Sequence, residues 1–298
     1  MREVSIIPTP VCCGTCQFCF LNREIVGDRE WDKLFDEVTK FFTVRDMTEC
    51  SNVVRIFGGE LFMDGLLKKD FKDNIIKLVV LVKRFIGNKG CVDMPISLEN
   101  VSIKGIRFAQ KLRDEYGVNL QVPFSMMRID TPERKRRYFR NLPKVGKISR
   151  IAILTTGNND HEQYMPELKK YGEIAWEEPV MFDGFSFSYE SMKIPEMFLG
   201  VRCVANTLRA ITSKGVFTCA GFTRRPSWIS DEEWNKLAND PEYLDYGYQQ
   251  VIDWYGCGTC EKQAVCPGMC WKTYYAQRYV YNNRKCLYKS GGGQCANG

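Results

Sequence analysis

The sequence predicts an α/β fold built on a parallel sheet, and three observations carry that prediction. Strand and helix patterns alternate from the start of the chain to about residue 180. A loop rich in cysteine follows directly on the first strand, where parallel α/β sheets place their functional groups. Beyond about residue 180 the alternation stops, and the cysteines then come in bunches.

Strands are predicted at residues 4–8, 52–57, 91–97, 118–124, 148–154 and 173–176. Helical patterns lie between them at residues 29–44, 68–86, 103–116, 132–140 and 161–171. This order argues for βα units and a parallel sheet. Residues 181–201 are rich in Phe, Ser, Pro and Gly and read as a linker. In the cysteine-rich remainder one helix is predicted, with Ser230 as N-cap and Asp231, Glu232 and Glu233 in its first turn ahead of Trp234. The closing run from Ser290 is glycine-rich and reads as flexible.

The composition is that of a globular protein: of 298 residues, 44% are hydrophobic and 26% charged. The most apolar stretch, residues 75–86, is broken by Lys77, Lys83 and Arg84, so no membrane span is expected. The N-terminus has no secretory apolar region. Fourteen cysteines without such a signal argue for metal in a reducing compartment rather than a disulfide scaffold, and hence for a cytoplasmic, oxygen-sensitive protein.

The formal charge of +6 is local in origin. Residues 127–150 hold nine basic side chains against Asp130 and Glu133, a charge of +7 that leaves −1 for the remainder. Such a patch speaks of partners more than a global charge does.

The loop after the first strand reads Cys12-Cys13-Gly14-Thr15-Cys16-Gln17-Phe18-Cys19. Cys12, Cys16 and Cys19 give the spacing C-x3-C-x2-C. Three thiolates on one tight loop suit a cubane iron–sulfur cluster with one iron lacking a protein ligand. Tetrahedral zinc would require a fourth ligand that the loop does not offer, although a zinc knuckle or a nest of buried thiols is the simpler alternative. The stretch resembles the signature of the radical S-adenosylmethionine (SAM) enzymes. That resemblance implies a partial (β/α)6 TIM-like barrel, SAM chelated at the open iron, and reductive cleavage to a 5′-deoxyadenosyl radical. The six predicted βα units agree in number.

A second constellation, Cys257-x2-Cys260-x5-Cys266-x3-Cys270, is flanked by Cys203 and Cys219 upstream and by Cys286 and Cys295 downstream. The series resembles the SPASM extension of radical SAM enzymes, which holds two auxiliary [4Fe–4S] clusters. The resemblance implies Cys203, Cys219 and Cys270 on the first, joined by Cys295 or left with an open iron. It implies Cys257, Cys260, Cys266 and Cys286 on the second. Three clusters in all are then expected, and domains at residues 1–182 and 203–298 joined by a linker at 183–202. Each cubane carries about −1 or −2 with its thiolates, so the loaded protein would fall to roughly +1 or +2. Gly215 precedes Cys219 with three residues between them, where the family pattern has four. Paired zinc sites are the alternative for this region. Cys13, Cys50 and Cys91 are left over, the last two reading as buried thiols.

Gly58-Gly59-Glu60 ends the second strand. Two glycines allow close approach of backbone, and a carboxylate accepts from an ammonium group. By the same resemblance this motif meets the SAM amine, Phe18 lies against the adenine, and Ser125 and Asn158 or Asn159 reach the ribose. Arg128 or Arg134 would then meet the SAM carboxylate. Thr131-Pro132-Glu133 is a helix start that puts Arg134 in the first turn. His161, the one histidine, reads as a helix-start residue rather than a general acid or base.

The resemblance implies a substrate carrying an amino-acid moiety, in a peptide or protein, with an electron donor such as flavodoxin or ferredoxin. With no segment ahead of the first strand, a peptide is expected to be recognised by the barrel, by the acidic region at Asp231–Glu233 or by a partner. A second reading is an amino-acid-modified thymidine in DNA, contacted through the basic segment 128–150, with Tyr138 and Phe139 available for stacking and the modified base extruded or presented in the groove. A non-enzymatic electron-transfer protein is the third reading; Gly58-Gly59-Glu60 and the six βα units speak against it.

Overall fold

The computed structural model describes residues 3–12, 30–44, 53–154, 160–177, 208–217, 230–240 and 259. Among them an eight-stranded sheet is flanked by α-helices. The strands are β1 (Glu3–Ile6), β2 (Val53–Ile56), β3 (Cys91–Pro95), β4 (Asn119–Phe124), β5 (Arg150–Leu154), β6 (Glu173–Glu177), β7 (Leu208–Thr212) and β8 (Gly215–Phe217). Their order is β6-β5-β4-β3-β2-β1-β7-β8. All neighbours are parallel except β7 and β8, which form an antiparallel hairpin. Chain order from β1 to β6 is thus also spatial order, as successive βα units produce.

The helices are α1 (Trp31–Thr43), α2 (Lys69–Ile86), α3 (Ile103–Tyr116), α4 (Pro132–Val145), α5 (Met165–Leu168) and α6 (Asp231–Asn239). Helical periodicity explains what the first four bury. Leu34, Val38, Phe41 and Phe42 of α1 join Phe71, Ile75, Leu78, Val79 and Val82 of α2. Ile106, Phe108 and Leu112 of α3 and Tyr138, Leu142 and Val145 of α4 complete one core with Val4, Ile6, Val54, Ile56, Val92, Met94, Leu120, Val122, Ile151 and Ile153 of the sheet. Burying each such aliphatic side chain is worth about 1.5–3 kcal/mol. The alternate strand positions are polar and in register: Arg55 pairs Asp93, Asp93 pairs Asn119, and Gln121 pairs Arg150. Asp93 there accepts from the side-chain amides of Asn119 and Gln121.

Local signals fix the ends. Ser102 caps α3, its hydroxyl accepting from Lys104 N at 3.1 Å, and Gly117 closes that helix at φ +61°. Thr131 caps α4 and Ser230 caps α6 in the same way.

Three features depart from the sequence expectation. Helix α4 runs on to Val145, through Pro143, because Asn141, Leu142 and Val145 are all buried and packing outweighs the lost backbone bond. The helix expected at 161–171 is a short 3-10 turn (Asp160–Tyr164) followed by the four-residue α5. Pro166 at its start cannot donate to the preceding turn. The hairpin β7–β8 lies in the segment expected to open the cysteine-rich domain, yet it continues the sheet beside β1. No helix among the described residues is long and apolar enough to cross a membrane.

Candidate functional site

Four consecutive strands deliver polar residues to the C-terminal edge of the sheet. From β1 come Thr9 to Cys12, from β2 Gly58 to Glu60, from β3 Ser97 and Glu99, and from β4 Ser125 and Arg128.

The first two segments continue the β1–β2 pairing beyond the strands. Phe57 N donates to Ile6 O at 2.9 Å, Gly59 N to Thr9 O at 2.8 Å and Glu60 N to Val11 O at 3.0 Å. The Thr9 hydroxyl accepts from Val11 N at 3.2 Å. A Cβ on Gly58 would stand 2.2 Å from Thr9 O, and one on Gly59 only 1.8 Å from Val11 O. The glycines are therefore required by the close passage of two backbones, which holds the chain leading into Cys12. Cys12 itself is half-buried.

Glu60 turns inward and is 1% exposed. Its two carboxylate oxygens accept from Phe62 N at 3.1 Å and Ser97 N at 2.8 Å. Burial pushes its pKa up to about 7, against the lowering effect of those bonds and of the Ser97 hydroxyl; Glu99 nearby adds a smaller upward push.

Ser97 links Glu60 to a buried ion pair. Nη1 of Arg128 donates to Ser97 Oγ at 2.8 Å and to Glu99 Oε1 at 2.6 Å. The Glu99 side chain is fully buried and that of Arg128 nearly so. Helix α4 holds the loop that carries them, since Asn141 Nδ2 donates to Leu98 O at 2.9 Å and to Val101 O at 3.1 Å. Ser125 is 1% exposed, and its hydroxyl has no hydrogen-bond partner among the described residues; the same is true of Glu99 Oε2. Arg134 pairs with Asp130 at 2.9 Å at the rim, one helical turn away.

The structure thus brings together Cys12, Gly58, Gly59, Glu60, Ser125 and Arg128, and places Arg134 beside them in sequence on the first turn of α4. It adds Ser97 and Glu99, which the sequence reading passed over. Their signal was position alone: they follow β3 as Gly58 to Glu60 follow β2. Phe18, Asn158, Asn159, Cys13, Cys50 and the candidate ligands Cys16, Cys19, Cys203, Cys219, Cys257, Cys260, Cys266, Cys270, Cys286 and Cys295 lie outside the described residues. Among the described residues no three His, Cys, Asp or Glu side chains gather as a metal site. Cys91 is half-buried, beside Asp93, and burial raises its thiol pKa. His161 is buried in the 3-10 turn.

Chemically, the edge offers two buried carboxyl groups against one guanidinium, with an unpaired hydroxyl and carboxylate oxygen close by in sequence and strand order. With both carboxyls ionised the cluster carries −1, which favours a cationic group. In comparison with known proteins, the chain matches no family model and no curated sequence.

Proposed function

We propose that the chain is a radical SAM enzyme of the SPASM type, with a partial (β/α)6 barrel and three [4Fe–4S] clusters, that abstracts a hydrogen atom from an amino-acid moiety of a peptide or protein. The observation that carries this reading is the C-x3-C-x2-C spacing that follows β1, with the chain leading into its first cysteine paired through Thr9 and Val11 to Gly59 and Glu60 at the C-terminal edge of a parallel sheet. A cluster and SAM bound there would supply the electron, the sulfonium cleavage and the 5′-deoxyadenosyl radical that no side chain provides.

The residues of the chain have the tasks of holding and orienting. Cys12, Cys16 and Cys19 would ligate the first cluster. The Gly58-Gly59-Glu60 turn would face the amine, Ser125 the ribose, and Arg128 or Arg134 the carboxylate, with Phe18 and Asn159 completing the pocket. Ser97 and Glu99 fix Arg128, since one Nη1 donates to both. Once Glu60 has lost its proton, the negative balance of Glu60 and Glu99 against Arg128 favours a cationic ligand over a neutral one.

The test is anaerobic reconstitution followed by reduction in the presence of SAM. The protein should be brown, hold roughly 12 iron atoms per chain with matching sulfide, and release 5′-deoxyadenosine. Cys16→Ala should abolish that release. Stoichiometric zinc without sulfide, or unchanged SAM cleavage in Cys16→Ala, would overturn the reading. Deuterium transfer from a labelled peptide into 5′-deoxyadenosine would then identify the substrate.

A further inference from the structure

Outside this site, the most strongly charged surface among the described residues is the outer face of α3 and α4. On α4, Arg136, Arg140 and Lys144 follow one another at intervals of four and are all exposed. That spacing lines them along one side of the helix, about 6 Å apart. On α3, Lys104, Arg107 and Lys111 form a similar row. The two helices are tied side by side: Gln110 Nε2 donates to Lys144 O at 2.8 Å, and Arg113 Nη1 to Val145 O at 2.7 Å. Packed helices stand about 8–10 Å apart, so the rows form one surface. Lys147, exposed just after α4, extends it.

The acidic residues nearby are already engaged. Glu133 pairs with Arg137, Glu115 with Lys111 and Asp114 with Arg113. The side chains of Lys104, Arg107, Arg136, Arg140, Lys144 and Lys147 have no ion-pair or hydrogen-bond partner among the described residues. Six uncompensated cations on one face lack the apolar centre of a protein-binding surface; Ile103 is the one large hydrophobic residue exposed along the two helices.

Of the aromatic residues of α4, one is buried and the other is half-buried against a neighbouring ring. Tyr138 is 0% exposed and packs against Phe124, and Phe139 stacks on Tyr164 with ring centroids 5.4 Å apart. The stacking role that the sequence assigns to Tyr138 is thereby corrected, and Phe139 already has a ring partner in Tyr164. Single-strand binders need exposed rings on which bases stack. A surface of cations without rings can read only phosphates, which position a duplex without reading its sequence.

We infer that the outer face of α3 and α4 is a docking surface for the phosphate backbone of a nucleic-acid duplex. It rests on the helix charges and not on the cysteine loop, and its test can fail or succeed independently of SAM cleavage. The full chain, kept anaerobic and without SAM, is titrated against a labelled DNA duplex of roughly 20 base pairs over a range of salt, with the matching RNA duplex and single strand as further arms. Four to six phosphate contacts predict a slope of log K against log salt of about −4 to −5. Arg136→Gln with Arg140→Gln should reduce the slope by about 2 and weaken binding at least tenfold at low salt. Neither side chain makes a bond among the described residues, so the variant should keep the circular dichroism of the parent. Lys33→Gln with Lys40→Gln, on α1, should change neither quantity. Equal binding of DNA and RNA duplexes supports a surface that reads phosphates alone, and a preference for either supports it and names its source. Salt-independent binding, an unaffected α4 variant, tighter binding of the single strand, or tighter binding of an acidic flavodoxin than of the duplex would overturn it.

Discussion

Glu60 holds its carboxyl among backbone N–H groups rather than against a cation, so its proton belongs to the fold. Its folded pKa, about 7, lies above the ordinary value of 4.5. Between those values the folded chain keeps a proton that the unfolded chain has lost. Stability must therefore fall as pH rises through that window and level off above it. The burial penalty sets the size, on the order of 3 kcal/mol at most for this group. Denaturant unfolding at pH 5 and pH 8 should show the native protein less stable at pH 8. Glu60→Gln should lower stability at both, because an amide nitrogen faces one of two backbone donors, and should remove this part of the pH dependence. A variant with the same pH dependence as the parent would mean that Glu60 is not the titrating group. Arg128 is likewise committed before any ligand arrives, since parting a buried pair such as Arg128–Glu99 costs about 3–5 kcal/mol. The sequence made Glu60 and Arg128 visible as candidates. It did not show that Ser97 joins them, because a serine at the end of a predicted strand carries no mark of its partners.

At the scale of elements, the junction of the β1 and β2 extensions decides whether the cysteine loop leaves the sheet in one direction. Gly59→Ala puts a methyl 1.8 Å from Val11 O, a contact that only backbone displacement can relieve. Gly65→Ala meets nothing nearer than Met63 Cε at 3.9 Å. Thermal unfolding should therefore separate the two variants sharply. Gly65→Ala should stay close to the parent, while Gly59→Ala should lose several kcal/mol or fail to accumulate in soluble form. Similar melting points would show that the Thr9–Val11 passage is looser than its hydrogen bonds imply. Elements with local signals were legible: α3 has its Ser102 cap, its apolar spacing and Gly117, and both its ends fall where the sequence predicts. Helix α4 was read too short because Pro143 is a local stop sign, whereas burial of Leu142 and Val145 is a tertiary fact. The turn at Asp160–Tyr164 and the four-residue α5 were read as one helix because apolar spacing is shared by both.

At the scale of the molecule, alternation of strand and helix was enough to give the parallel sheet, though not by itself the observed order of β1 to β6. It could not give β7 and β8, which are only five and three residues long and too short to show a clear period. Their place is set by long-range pairing of Leu208 to Ile211 with Glu3 to Ile6. The face of α3 and α4 was only half visible in the same way. The cations of α4 form a run in sequence, but Lys104 and Arg107 join them only through packing.

The addition of β7 has a further consequence, because it leaves β1 with a neighbour on each side. The strand that feeds Cys12 is then an interior plank of the sheet and not its rim. A fragment cut at residue 200 would strip β1 of that cover and expose a row of backbone donors and acceptors ready to recruit another copy. Such a fragment should aggregate on expression, and a soluble, monomeric one would show that β1 tolerates a bare flank. The amides of Val4 to Ile6 should in turn be among the slowest in the chain to exchange with deuterium, so that the strand leading to Cys12 belongs to the least yielding part of the protein.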